Sequence, residues 1–320
     1  MVDQTLQNCN AIATFRLYLS AISITIDRFM HNSISQDEIA ELIPRRALRA
    51  SKFDYGRVAV IGGTRSMRGA PSLTAHAALA LGAGIVDLIT PSTHPLTPRE
   101  IIAHEMPAHD DGTIHADAAP QIQDLLCRAT VVALGPGLGS NTATIAMISR
   151  CIAELTPEIP VIIDADGLRC LPIEGSRREY VITPHIGEFS RLLGVARQDL
   201  EHCYAERAQS YAQEHRMVVH VKHVPSVTTD GSTITYLHGG TPAMSTAGAG
   251  DVLTGIIAAL VAQHVRPLHA ARIGAWLHAR AGENLVQVTG HRSLMAHELI
   301  ESARQVLGQI SYQARPHQPS

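Results

Sequence analysis

The segment Gly239-Gly240-Thr241-Pro242-Ala243-Met244-Ser245-Thr246-Ala247-Gly248-Ala249-Gly250-Asp251-Val252-Leu253 carries the residue types that phosphoryl-group chemistry needs. Small residues let backbone N–H groups crowd around an anion, and the apolar run from Thr254 to Ala262 supplies a helix whose positive end faces it. Asp251 stands where that helix begins, as a carboxylate within reach of whatever the amides hold. The same composition also makes a plain tight turn, so the spacing needs support from elsewhere in the chain.

Other segments add that support. Lys222 ends the apolar run Val218-Val219-His220-Val221, where a buried cation is costly without an anionic partner; a phosphate fits, and a lysine snorkelling to the sheet edge is the alternative. Gly135-Pro136-Gly137-Leu138-Gly139 places three glycines in five residues, an entropic cost that favours close approach of a ligand to the main chain. Gly69-Ala70-Pro71 reads equally as a helix start and as a backbone surface for a bulky ligand. Asp164 and Asp166 fall on one side of a pleated strand, able to hold hydrated Mg²⁺ or to shape a turn. His185 and Glu188 either face one pocket or cap a helix. His104 and His109 are one residue too far apart for two metal ligands a helical turn apart, and Pro107 interrupts a helix there, so no protein-ligated metal is expected.

The elements that must position these residues follow from the alternation along the chain. The 320 residues are 45% hydrophobic but only 4% aromatic, so the core is built from Ala, Val, Ile and Leu, which suit close helix-on-sheet packing. Short apolar runs at Val58–Ile61, Ile85–Thr90, Val131–Leu134, Val161–Asp164, Tyr180–Thr183 and Val218–Lys222 alternate with Ala-rich stretches such as Ala70–Leu81. That beat specifies a parallel sheet covered on both faces, and Ser226–Leu237 with its central Asp230-Gly231-Ser232 adds an antiparallel edge hairpin. Ala270–Val288 and Met295–Leu307 read as closing helices, giving one domain over residues 51–310 and a frayed tail at 311–320.

Residues 1–50 form an extension. Ser35 with Glu38 at the capping-box position opens a short helix that ends near Ile43-Pro44, and Met30 is a candidate initiator in place of Met1. The apolar stretch before it is too short for a membrane span, five scattered cysteines give no disulfide framework, and a formal charge of −3 without a basic patch gives no pull toward nucleic acid. A cytoplasmic protein without membrane or nucleic-acid partners is expected.

Taken in order, Gly62-Gly63-Thr64, Gly69-Ala70-Pro71, Gly82-Ala83-Gly84, Leu134–Gly139, Asp164–Leu168, Thr183–Phe189, Val221-Lys222 and Ala247–Ala258 resemble the motifs of the ADP- or ATP-dependent NAD(P)H-hydrate dehydratases over roughly Lys52 to Leu307. The resemblance implies a three-layer ribokinase-like α/β fold with helices on both faces of a mainly parallel sheet. It implies an enzyme that restores hydrated NADH or NADPH (NADHX, NADPHX), with ADP or ATP as phosphoryl donor and Mg²⁺ held largely through water on the nucleotide. Asp251 would be the base, and Gly248 and Gly250 would donate N–H groups to the transferring phosphoryl. Lys222, His223, Val224, Pro225, Ser226, Thr241, Thr246 and Ala249 would contact nucleotide. Ala70, Gly135, Gly137, Gly139, His185 and Glu188 would line the substrate side, with Arg65 and Arg68 candidates for a ribose phosphate. A homotetramer and a separate epimerase chain are further implications.

Three positions depart from the family pattern: His223 stands where Gly follows the lysine, Thr241 replaces Asn before Pro, and Ala247-Gly248-Ala249 loses one glycine and one hydroxyl. Two alternatives therefore stand beside the dehydratase, a ribokinase-like small-molecule kinase of the hydroxyethylthiazole type and a non-catalytic nucleotide binder.

Overall fold

The computed structural model describes residues 34–171 and 179–313. Runs of three to six residues, most of them apolar, form nine strands among the described residues: β1 (Arg57–Ile61), β2 (Ile85–Thr90), β3 (Ile102–Glu105), β4 (Val131–Leu134), β5 (Val161–Ile163), β6 (Tyr180–Ile182), β7 (Val218–Val221), β8 (Ser226–Thr229) and β9 (Ile234–Leu237). They make one sheet in the order β3-β2-β1-β4-β5-β6-β7-β8-β9. The first seven strands are parallel, and β8 and β9 add antiparallel to the β7 edge. The order reverses between β1 and β4, the switch point at which open sheets of this kind leave a crevice beyond their carboxyl ends.

The helices are α1 (Gln36–Leu42), α2 (Gly69–Ala80), α3 (Ala119–Leu126), α4 (Thr142–Ala153), α5 (Ile186–Leu193), α6 (Arg197–Leu200), α7 (Tyr204–His215), α8 (Ala249–Ala262), α9 (Pro267–Thr289) and α10 (Ala296–Gln313). Strand alternation divides the core in two: Val58, Val60, Val131 and Ala133 join the layer of α2, α8, α9 and α10, while Ala59, Ile61, Val132 and Leu134 join the layer of α3, α4, α5 and α7. Both faces of the sheet are thus covered, as the continuous apolar strands require. This is the three-layer fold expected from the sequence. No described helix is long and apolar enough to cross a membrane.

Three local expectations are corrected. His104 lies on strand β3, not near a helix, and its Nε2 is 2.8 Å from Asp87 Oδ1. Asp87 is almost wholly buried and also receives two bonds from Arg57, so the histidine is spent on the Arg57–Asp87 pair at the β3 edge of the sheet. Ser35 does cap α1 by accepting from Glu38 N, but the Glu38 carboxylate receives Arg272 at 2.8 Å, so the capping box is only half made. The final helix continues to Gln313, three residues past the boundary expected at 310. Met30 and the tail from residue 314 lie outside the described residues.

Candidate active site

The site grows from helix α8. Of its fourteen residues all but Gly250 and Asp251 are buried, because a run of Ala, Val, Leu and Ile packed on the sheet and flanked by α2, α9 and α10 has no solvent face to keep polar. Gly255 lets the two helices touch: a β-carbon there would fall on the Thr74 carbonyl oxygen. Thr74 in turn donates its hydroxyl to the Asp251 carbonyl at 3.0 Å, which ties the start of α2, and with it Gly69-Ala70-Pro71, to the first turn of α8.

Gly248 is the N-cap in a left-handed conformation, φ 91°, which an L side chain rarely adopts. Ala249, Gly250 and Asp251 are then the first three helical residues, whose N–H groups have no partner within the helix. A β-carbon on Gly248 would lie 3.9 Å from Asp251 Oδ2, so the carboxylate stands at the mouth of the glycine turn. Ala247 and Ala249 are absent from the positive-φ residues, and alanine therefore sits without strain at both positions where the family pattern differs.

Beneath Gly250 lies a charged cluster. Lys222 Nζ comes within 3.0 Å of where a Gly250 β-carbon would be, and donates to Asp164 Oδ1 at 2.7 Å. The other Asp164 oxygen accepts from Thr254 at 2.8 Å. The lysine thus has a protein carboxylate as its anionic partner, a correction to the phosphate expected from the sequence alone. Asp164 and Asp166 do not share a side: the strand ends at Ile163, a 3₁₀ turn begins at Ala165, and Asp166 accepts instead from Gly139 N at 3.0 Å.

Burial pushes the Asp251 carboxyl up to about 7; Asp164, Glu188 and Asp166 reinforce the shift and Lys222 opposes it. Burial alone would lower the Lys222 amine, but Asp164, Glu188 and Asp251 outweigh it, so the ammonium is held above its ordinary value.

His185 and Glu188 form a reciprocal capping box at the start of α5. The His185 Nδ1 accepts from Gly187 N and Glu188 N, and Glu188 accepts from His185 N at 2.9 Å. With Nδ1 an acceptor the ring proton sits on Nε2, which faces Glu188 Oε1 at 3.5 Å. Burial lowers the His185 pKa, with Lys222 and Arg191 acting in the same direction and Glu188 against it. The cap and the pocket are therefore one arrangement, since His185 is bridged in register to Lys222 and its Glu188 partner shapes the charge at Asp251.

The remaining sequence candidates separate into two groups. His223 does not plug the turn: its ring packs edge-on to Tyr204 with centroids 4.9 Å apart. Val224 is 80% exposed, the Pro225 carbonyl accepts the Tyr204 hydroxyl at 2.8 Å, and Ser226 opens β8 opposite Leu237. Thr241 caps a short 3₁₀ turn, with its hydroxyl 3.4 Å from His291 Nδ1, and the Thr246 carbonyl accepts from Ala249 N. At the switch point, a β-carbon on Gly137 would meet Met67 O at 2.8 Å and the Ala70 Cβ at 3.3 Å, so these two positions do adjoin. Gly135 and Gly139 are required by protein neighbours, the Asp164 carbonyl and the Thr113 methyl.

Sequence reasoning passed over three residues that the structure makes central. Asp164 reads in the sequence as a turn or Mg²⁺ residue, whereas the fold brings it to Lys222 from the strand next but one. Thr254 read as part of an apolar helix. Glu283, whose Oε1 accepts from Gly240 N at 2.9 Å and whose other oxygen holds Arg280, anchors the loop ahead of the glycine turn and had no signal in spacing.

A mainly parallel sheet with an antiparallel edge, covered on both faces and carrying a glycine turn with an acidic helix start, defines the ribokinase-like class. A solved ribokinase-like superfamily protein from Enterococcus faecalis superposes with a TM-score of 0.77 at 22% identity, over 88% of this chain and 96% of that one. The sequence profile described as NAD(P)H-hydrate dehydratase matches residues 58–305, and the chain belongs to that family. A bifunctional NAD(P)H-hydrate repair enzyme from Moorella thermoacetica is 35% identical over 275 residues, 83% of this chain and 52% of that protein. The chain spans about half the length of the curated relatives it matches. The ADP/ATP-dependent NAD(P)H-hydrate dehydratase of Bacillus subtilis, co-crystallized with ATP/Mg²⁺ and soaked with CoA, matches at 25% identity with a TM-score of 0.73, over 87% of this chain and 98% of that one.

Proposed function

We propose that this chain performs the nucleotide-dependent dehydration of hydrated NAD(P)H, with Asp251 as the base. The observation that carries this reading is the position of Asp251: a half-buried carboxyl with a pKa near neutrality, at the mouth of a turn whose free N–H groups lie above a lysine. Such a group removes a proton from a hydroxyl at neutral pH far better than an ordinary aspartate.

In the reaction the ring hydroxyl of the hydrated nicotinamide attacks the terminal phosphoryl of ATP, or of ADP, while Asp251 takes its proton. The bridging oxygen–phosphorus bond of the nucleotide breaks, and the N–H groups of Gly248 and Gly250 receive the charge spreading over the phosphoryl oxygens. Phosphate then leaves with the carbon–oxygen electron pair as the adjacent ring carbon loses a proton, restoring the dihydronicotinamide. Ala70 and Gly137, which adjoin beyond β1 and β4, would line the substrate side together with His185 and Glu188. Arg65 and Arg68, on the loop between β1 and α2, are the cations available to a ribose phosphate.

Among the described residues no group of three could hold a metal, and both Asp164 oxygens are already bonded. Mg²⁺ would be held by the nucleotide phosphates and water, where it would neutralise phosphate charge. The match to the dehydratase profile over residues 58–305 disfavours the small-molecule kinase. Incubation with NADHX and ATP or ADP tests the reading. Return of NADH absorbance with matching phosphate release is expected, whereas nucleotide consumption without NADH would remove it.

A further inference from the structure

We infer that Asp164 is a positioning residue of this site, holding the Lys222 ammonium beneath the Gly250 turn and away from the carboxylate of Asp251. The inference rests on the reading of Asp251 as the base. Its support is geometric. Asp164 is 1% exposed, and each of its oxygens is claimed by a different element: Lys222 at the end of β7 and Thr254 one turn inside α8. The Thr254 hydroxyl also lies 3.2 Å from the Gly250 carbonyl, so the carboxylate is fastened to the same turn that carries the free amides. A buried pair bonded from both sides is fixed in place, whereas removing one partner leaves the other charge to find a substitute.

For Lys222 that substitute is Asp251. The groups that bear on Asp251 are Asp164 and Asp166 after β5, Lys222 at the end of β7 and Glu188 at the start of α5. Around Lys222 stand Asp164, Glu188 and Asp251, and it acts in turn on His185, on the buried His220 of β7 and on His278 of α9. The last two are kept neutral by burial, down to about 3 and about 4, so Lys222 is the cation of the cluster. While Asp164 engages that cation, Asp251 remains a carboxyl that protonates near neutrality and is free to act as a base. Without Asp164 the ammonium turns to Asp251, stabilises its anion and makes it a weaker base.

The test uses the full chain with Asp164→Asn, Thr254→Val, Lys222→Met and the double variant Asp164→Asn/Lys222→Met. Carboxyl ¹³C NMR titration without ligand, with Asp251→Asn to assign the signal, reports the Asp251 pKa directly. The wild-type signal is expected to titrate near neutrality and to move down by about one unit or more in Asp164→Asn. It should return upward in the double variant, which has no cation to donate. Thr254→Val keeps both charges and is expected to shift the signal the same way by less, and it serves if Asp164→Asn does not fold.

ADP affinity by calorimetry is expected to weaken about tenfold in Asp164→Asn as the ammonium leaves the turn. An Asp251 titration and an ADP affinity that are the same in wild type, Asp164→Asn and Thr254→Val would overturn the inference, as would a double variant that stays low. Failure of the functional reading looks different: wild-type protein without NADH-restoring turnover, but with Asp251 still responding to Asp164.

Discussion

Two glycine turns of nearly the same composition serve different ends. In Gly135–Gly139 each glycine is forced by the protein itself: a side chain at Gly135 would fall on the Asp164 carbonyl, at Gly137 on Met67 O, and at Gly139 on the Thr113 methyl, and all three have positive φ. In Gly248–Gly250 the φ of 91° at Gly248 is a helix-cap requirement, but a β-carbon on Gly250 would meet only side-chain atoms, Lys222 Nζ at 3.0 Å and Asp164 Oδ2 at 3.7 Å. The first turn is glycine-rich because loops pack on loops. The second leaves its amides beside a cation and a carboxylate, the arrangement on which the proposed nucleotide site rests. Glycine count does not distinguish the two; what a β-carbon would strike does.

The sharpest way to break this contrast is Asp251→Asn. Turnover should fall by about two to four orders of magnitude with nucleotide affinity largely intact, and a near-normal rate would deny the second turn its catalytic role. Stability should change in the opposite sense. The folded carboxyl, raised to about 7 from 3.8, holds a proton that the unfolded chain releases between those values, so its contribution is present at low pH and lost as pH rises through about 7. The asparagine variant should lack that slope in denaturation measured across this range.

Gly135→Ala should instead act on the fold, costing about 3 kcal/mol or more from backbone collision and positive φ together, read as a lowered denaturation midpoint. Gly250→Ala should leave the midpoint within about 1 kcal/mol while lowering turnover about tenfold, because only Lys222 must move. If Gly250→Ala unfolds the protein, or Gly135→Ala does not, the contrast fails.

In the wild type, activity should drop on the acid side with an apparent pKa near the Asp251 value of about 7, since the base must be deprotonated to accept a proton. A rate flat from pH 5 to 8 would exclude it. The smallest effect is expected for His223→Gly. Loss of the edge-on contact with Tyr204 should cost about 1 kcal/mol of stability with nucleotide KM unchanged, confirming that the imbalance with the family pattern is absorbed outside the turn.

Much of the fold was legible because burial on both faces makes parallel strands read as unbroken apolar runs. β3 was not, since Ile102, Ala103 and Glu105 have no apolar period and are held at the edge by pairing with β2 and by the His104–Asp87 contact. In the site, Asp251, Lys222 and His185 were legible from strand ends and helix starts. The Asp164–Lys222 pair was not, because it joins residues 58 apart in sequence from the ends of β5 and β7, two parallel strands with β6 between them. Glu283 was hidden for the same reason, reaching Gly240 from 43 residues away.

The amino-acid order by itself determined the layered sheet, the helix that begins at the glycine turn and the acidic residue on its first turn, since these depend on local pattern and on backbone groups left free at a helix end. Only the tertiary structure decided which carboxylate neutralises the lysine, which one has its pKa raised to about 7, and which glycines are forced by backbone packing. Those outcomes depend on distances and burial set by loops that meet beyond the ends of different strands, and no local stretch of chain encodes them.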